Sequence, residues 1–440
     1  MREYEKHFKD KKITILGLGL LGRGAGDAEF LAQCGAEVIV SDKKTPEELR
    51  ASVERLKQYP NIALHLGSHD EADFTSADLV IKAAGVRKDS PEIAAARAAG
   101  VPVTMSTALF AQCAAEMGVR IVGVTGTRGK STITHMIYHA LRANARPAQL
   151  GGNVRGISTL ALLSQVQEGD VAVLELDSWQ LQGFGDLEMS PQISVFSNLM
   201  PDHQNYYKDM DEYFADKANI YKYQQAGDTL IAGLGLEDRL KKEGVEAQYP
   251  DTVAADWTLM IPGEHNRENA ALAAAALLAL GLTSVEIKNG LESFIGVEGR
   301  LQLVNDRGGV KIYNDNNATT PEATIAALRA LDTGKNIVLI IGGSDKELDL
   351  TELIAEIKQH CKAVFLIPGT GTERLYELLD AEMHVHSMEQ CNSLHDALAQ
   401  AMQAAKPGDT ILFSPAFASF GAYKNEYERN DEFLKLVRSS

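Results

Sequence analysis

This sequence predicts three α/β domains: a Rossmann-like N-terminal domain, a central P-loop ATPase-like domain and a C-terminal Rossmann-like domain. Short apolar runs alternate with helical stretches along the chain, the pattern of parallel sheets covered by helices. Two of those runs lead directly into glycine-rich turns, Gly17-Leu18-Gly19-Leu20-Leu21-Gly22 and Thr125-Gly126-Thr127-Arg128-Gly129-Lys130-Ser131-Thr132. The length of 440 residues also exceeds what one ordinary hydrophobic core fills.

In the first domain, expected over 1–106, the run Lys12 to Leu16 precedes the first glycine turn, and a helical stretch follows to Gly35. A second strand is predicted from Glu37 to Val40, ending at Ser41-Asp42, and a third from Asp78 to Ala83. In the second domain, expected over 107–299, Arg120 to Val124 enters the second glycine turn, with a helix from about Thr132 to Ala143. Val171 to Leu176 and Ile193 to Asn198 read as buried strands, and Asn269 to Leu280 as an alanine-rich helix packed closely on a neighbour. In the third, expected over 300–440, Val310 to Asp315, Asn336 to Ile341, Ala363 to Ile367 and Asp409 to Ser414 read as another parallel sheet.

Composition narrows the function. Sixty acidic against 43 basic residues give a formal net charge of −17, which argues against a nucleic-acid coat or a polybasic membrane anchor. It does not exclude an anionic small ligand, because a nest of backbone N–H groups holds phosphate on an acidic protein. The four cysteines are far apart with no C-x-x-C pair, as in a reduced cytosolic protein rather than a disulfide frame or zinc site. The charged start MREYEKHFKDKK is not a secretory signal, and no apolar run reaches the ~18 residues of a membrane span. A cytoplasmic enzyme, acting as a monomer, is the expectation.

The strongest chemical signal is Gly126-x-x-Gly129-Lys130-Ser131 between a strand and a helix. Glycines let the backbone curl so that successive N–H groups point at phosphate oxygens. The helix N-terminus adds its positive end, and Lys130 supplies a charge for the β- and γ-phosphates. A hydroxyl of Ser131 or Thr132 would ligate Mg²⁺. Val124 stands where the strict pattern has its first glycine, and the bland alternative is a glycine turn with a surface lysine. The first turn, with Asp42 about twenty residues on, fits a nucleotide diphosphate over a helix N-terminus better than NAD; a structural corner is the alternative. Glu175 and His203 follow strands at their C-terminal ends, where open parallel sheets place ligands, and together could hold Mg²⁺ near the phosphates. Asn266 and Asn269 open the alanine-rich helix and either cap it or read an adenine edge. Arg300 follows a domain junction, and Asp315 with Asn316 and Asn317 ends a strand before a helix.

In this order the segments resemble the Mur ligases, most closely those that add glutamate to UDP-N-acetylmuramoyl-L-alanine. The likeness runs through GLGLLG, TGTRGKST, GGNVRG, ELDSWQL, NLMPDHQNYY, YFADKANI, GEHNRENAAL, GVEGRL, NDNNATTP, GGSDKELDL and FSPAFASFGAYKNEYERNDEF, nearly the whole chain. The resemblance implies that Gly126, Thr127, Gly129, Lys130, Ser131, Thr132, Asn266, Asn269, Arg300 and Asp315 bind ATP. It implies that Leu20, Leu21, Asp42 and Asn153 contact the UDP substrate, and that Thr319, Lys346 and Ser419 hold the incoming glutamate. It further implies that Ser131, Glu175, His203 and a carbamylated Lys217 are the Mg²⁺ ligands, so that Lys130, Glu175, His203 and Lys217 carry the chemistry. A surface lysine on its helix is the alternative for Lys217. Asn317 stands where the family usually has lysine, and Glu426 where it has an aromatic. D-glutamate is the implied amino acid, with L-glutamate or another as alternatives.

The implied reaction is amide formation through an acyl phosphate, in the making of a cell-wall precursor. Competing classes are an NAD-dependent oxidoreductase built on Gly17 to Gly22, which leaves TGTRGKST without a purpose, and a nucleotide-regulated binding module.

Overall fold

The structure, a computed structural model, describes residues 2–20, 22–203, 206–382 and 388–439. It divides into two compact units, Met1–Ala254 with Glu268–Leu291, and Ala255–Arg267 with Glu292–Ser440. The first unit contains two sheets and the second contains one.

The first sheet comprises β1 (Lys12–Leu16), β2 (Glu37–Asp42), β3 (Ile62–Leu66), β4 (Leu79–Lys82) and β5 (Val103–Thr104), all parallel, in the order β3-β2-β1-β4-β5. The second comprises β6 (Arg120–Thr125), β7 (Ala148–Gly152), β8 (Val171–Glu175), β9 (Ile193–Phe196) and β10 (Thr229–Ala232), also parallel, in the order β10-β9-β6-β8-β7. In both, the connections leave the opening strand in opposite directions, so the glycine turns after β1 and β6 sit at topological switch points. That is where a crevice opens beyond the strand ends.

The third sheet contains β11 (Gln302–Arg307), β12 (Val310–Asn314), β13 (Ile337–Ile341), β14 (Cys361–Leu366), β15 (Met388–Gln390) and β16 (Thr410–Phe413), in the order β11-β12-β16-β13-β14-β15. All its pairs are parallel except β11 with β12.

The central strands form because both of their faces are covered: β8 (VAVLE) and β13 (IVLII) are buried at every position. The helix Lys130–Ala143 follows its apolar stripe, burying Ile133, Met136, Ile137, Ala140 and Leu141 at three- and four-residue spacings. One apolar core joins the first two sheets, from Ile13 and Val38 through Phe110 to Leu174 and Phe196. Two separate clusters cover the two faces of the third sheet. Among the described residues no helix is long and apolar enough to cross a membrane.

The three-sheet α/β architecture is the one the sequence predicts, with corrections at sheet edges. β3 is an edge strand whose alternate residues are exposed, β5 is two residues long, and β7 ends in two glycines. None has the continuous apolar run that marks a central strand. β11 reverses direction, because a tight Gly308-Gly309 turn with positive φ at both residues joins it to β12.

Candidate active site

Gly126 and Gly129 have φ values of +144° and +83°, which L side chains rarely adopt. A Cβ at Gly126 would collide with the Ser197 side chain, and one at Gly129 with Asn269. The segment after β9 braces the turn. Thr127 N–H donates to the Asn198 carbonyl (3.0 Å), Arg128 N–H to Asn198 Oδ1 (2.8 Å), and Ser197 Oγ to the Arg128 carbonyl (2.5 Å). Thr127 Oγ1 accepts from Met200 N–H at 2.9 Å. A rigid loop thus enters the helix that carries Lys130, Ser131 and Thr132, and the first-turn N–H groups of such a helix lack intrahelical acceptors.

Two lysines meet on one carbonyl. Lys130 Nζ donates to the oxygens of Gly126 and Thr127, each at 3.0 Å, and Lys217 Nζ donates to the same Gly126 oxygen at 2.8 Å. Lys217 lies on the helix Met210–Ala218, its residue 1% exposed and its ammonium 4.8 Å from the Tyr213 ring centre. It is a core residue, which removes the surface-lysine alternative. Burial first, and then the charge of Lys130, hold its ammonium well below the ordinary lysine range.

Glu175 closes β8, is 4% exposed, and its backbone oxygen accepts from Asn153 N–H (2.8 Å). His203 has φ +53°, and its ring packs 4.5 Å from Trp179 and 6.0 Å from Tyr213. Burial lowers its pKa, which favours the neutral imidazole that binds metals. Among the described residues no three His, Cys, Asp or Glu side chains are grouped to bind an ion. A cation here would need oxygens from a ligand or from a modified Lys217 beside Glu175, His203 and Ser131.

A cavity of about 360 Å³ lies beyond the ends of β1 and β4 and reaches the second sheet. Leu18, Leu20, Arg23, Lys82, Asn153 and Trp179 are in its wall. Arg23 Nη1 donates to Asn153 Oδ1 at 3.0 Å, and the buried Trp179 Nε1 has no partner among the described residues, so the wall holds an unused donor. Leu21 lies outside the described residues. Asp42 is buried, and its oxygens accept from the N–H groups of Leu18 (2.8 Å), Gly19 (3.4 Å) and Lys44 (2.9 Å). The carboxylate therefore shapes the glycine turn itself. Asp177 forms a capping box with Gln180 at the start of the helix Ser178–Asp186.

The other predicted residues, apart from Asn269, belong to the second unit. Asp315 Oδ1 accepts from Leu301 N–H (3.0 Å) and Oδ2 from Ser414 Oγ (2.8 Å), and burial pushes its carboxyl up to about 7. Arg300, beside Leu301, is exposed. Lys346 Nζ donates to Thr319 Oγ1 at 3.1 Å, while Ser419 is buried. Asn266 Nδ2 donates to the Pro262 carbonyl at 2.6 Å.

Sequence reasoning missed Arg23, Lys82 and Trp179, all in the cavity wall, and Arg429 in the second unit. The fully buried Arg429 donates to Asn316 Oδ1 (2.8 Å) and to the Asn316 and Phe417 carbonyls (3.1 and 3.4 Å), joining the loops after β12 and β16. Lys82 did leave a signal, a lysine ending an otherwise apolar strand.

Comparison with known proteins gives three family models in succession: Mur ligase MurD-like, N-terminal domain (residues 11–105), Mur ligase middle domain (124–249) and Mur ligase, glutamate ligase domain (299–417). A UDP-N-acetylmuramoylalanine–D-glutamate ligase from Roseiflexus sp. (strain RS-1) is 35% identical over 98% of both chains. One of the same description from Borreliella burgdorferi (strain ZS7) is 31% identical, again over 98% of each. Among solved structures, a UDP-N-acetylmuramate-alanine ligase from Thermotoga maritima superposes with a TM-score of 0.63 at 20% identity, over 98% of this chain and 99% of that one.

Proposed function

The chain belongs to the Mur ligase family, and on that premise we propose that it joins D-glutamate to UDP-N-acetylmuramoyl-L-alanine at the expense of ATP. The observation that carries this reading is the pair of lysines on the Gly126 carbonyl. The two amines converge on the loop whose backbone would face ATP phosphates, and burial beside Lys130 keeps Lys217 below the ordinary lysine range.

The chemistry is activation followed by displacement. A free carboxylate does not condense with an amine in water, because its leaving group is poor. The carboxylate oxygen of the UDP substrate attacks the γ-phosphorus and ADP leaves, giving an acyl phosphate. The glutamate nitrogen then attacks the acyl carbon, loses a proton, and inorganic phosphate departs. The loop from Gly126 to Thr132 holds the ATP phosphates and Lys130 offsets charge on the transferred group, while Asn269 in the first unit and Asn266, Arg300 and Asp315 in the second are the further residues assigned to ATP. Leu20, Leu21 and Asn153 serve the UDP substrate, Asp42 shapes the turn beneath it, and Thr319, Lys346 and Ser419 serve the amino acid.

Mg²⁺, when bound, supplies neutralisation of phosphate charge, and Ser131, Glu175, His203 and Lys217 are the residues to hold it. Lys217 is suited to that role only after its amine adds to CO₂ and loses a proton, becoming a carbamate. The depressed pKa supports this, since the neutral amine is the form that reacts.

The test is an ADP-release assay with UDP-N-acetylmuramoyl-L-alanine and a panel of amino acids. ADP should form with D-glutamate and not without the UDP substrate. Preference for L-glutamate or another amino acid would overturn the substrate assignment, and no ADP with any combination would overturn the ligase reading.

A further inference from the structure

The ligase chemistry described above makes no use of Lys82, yet this lysine is buried and hydrogen-bonded. It ends β4, is 2% exposed, and stands in the wall of the cavity beyond the first sheet. Its Nζ donates to Gln182 Oε1 at 3.0 Å and to the Val86 carbonyl at 3.3 Å, and it pairs directly with no carboxylate among the described residues.

From Lys82 a line of buried polar contacts crosses to the second sheet. Gln182, 6% exposed, passes the contact on, its Nε2 donating to Asp216 Oδ2 at 2.7 Å. The direction of that amide is fixed at both ends, because an ammonium only donates and a carboxylate only accepts. The other oxygen of Asp216 faces Lys88 Nζ at 3.5 Å, so both are tied, one through Gln182, to residues at or just beyond the end of β4. Asp216 is 7% exposed and precedes Lys217, whose Nζ donates to Gly126 of the phosphate loop at 2.8 Å.

We propose that Lys82 is a positioning residue that links the cavity of the first sheet, through Gln182 and Asp216, to the placement of Lys217 at the phosphate loop. A ligand that packs against the cavity wall thereby bears on the helix Met210–Ala218 without touching it. A lysine at this buried place fits this role better than a structural one. Burial pushes its pKa down to about 8, so its charged form burdens the fold at neutral pH, and an apolar side chain of the same length would fill the space without that penalty.

The inference rests on the ligase reading for its catalytic readout, and its test separates the two. Lys82→Met, Gln182→Leu and the double variant are assayed for ADP release with ATP, UDP-N-acetylmuramoyl-L-alanine and D-glutamate. Each single change is expected to lower kcat about tenfold while the KM values for ATP and the UDP substrate stay within about twofold. The double variant should lose no more than the worse single, because both act along one line. Retained kcat with a raised KM for the UDP substrate would make Lys82 a direct ligand contact and overturn the proposal, as would losses that multiply. If the wild type forms no ADP, the ligase reading fails, and hydrogen exchange decides the coupling. Exchange in the helix Met210–Ala218 should then quicken about tenfold in Lys82→Met; unchanged exchange there overturns it.

Discussion

Replacing Lys82 by methionine should leave the protein at least as stable at pH 7, although the residue is buried at the end of a central strand. Burial carries the ammonium from its ordinary value of 10.5 to about 8, a difference that corresponds to ~3 kcal/mol held against the folded state when both states are protonated. The substitution removes that burden but leaves Gln182 Oε1 without its donor, which costs ~1 kcal/mol or somewhat more. Methionine matches the lysine stem in length and fills the same space. The net expectation is a gain of ~1–2 kcal/mol at pH 7.

The pH dependence gives the sharper result. Between pH 8 and 10.5 the unfolded lysine keeps its proton while the buried one loses it, so at this residue the unfolded state binds more protons and the Lys82 contribution to wild-type stability rises with pH. The advantage of the variant should therefore shrink across that window. The assay is urea unfolding followed by tryptophan fluorescence. Of the two tryptophans, Trp179 lies in the first unit and Trp257 in the second, so a Trp257→Phe background reports the unit that holds Lys82. A loss of more than ~2 kcal/mol at pH 7, or a difference between wild type and variant that stays constant from pH 8 to 10, would refute the reasoning.

Two further outcomes follow from the phosphate loop. Lys217→Ala should lose most ADP formation, recover partly with acetate in the buffer, and the wild type should slow when CO₂ is stripped away; full activity of the variant would sink the carbamate role. Gly126→Ala places a Cβ against Ser197 at a backbone angle of +144°, a strain of ~1–3 kcal/mol. It should abolish ATP binding in equilibrium titration while the first sheet keeps its affinity for the UDP substrate.

What the sequence revealed depends on how far each signal reaches along the chain. The phosphate loop is legible because its parts lie within eight residues, and strand, glycines, lysine and helix start all report the same local geometry. The central strands are legible for the same reason, as continuous apolar runs. Lys217 is harder. Tyr213, Phe214, Lys217 and Ala218 share one buried face of a short helix, a pattern visible at three- and four-residue spacing, but the carbonyl that meets the lysine belongs to Gly126, 91 positions earlier. Arg429 is illegible altogether, since its partner Asn316 lies 113 positions away and nothing near it departs from an ordinary charged helix.

Asp42 and Lys82 carry that lesson into function. The spacing of Asp42 from the glycine turn matches a nucleoside contact, yet its oxygens lie on the N–H groups of Leu18 and Lys44. A carboxylate that shapes a phosphate turn and one that reads a ribose occupy the same position in sequence, because both must follow the second strand. Their difference is set by which donors are near. Lys82 inverts the case: no spacing rule picks it out, but a cation that ends a buried strand is costly unless something needs it. What the structure sets beside it is a glutamine of fixed orientation and an aspartate next to Lys217. Between the two switch points of the first unit, a buried polar line supplies a connection that apolar packing, which has no preferred direction, does not.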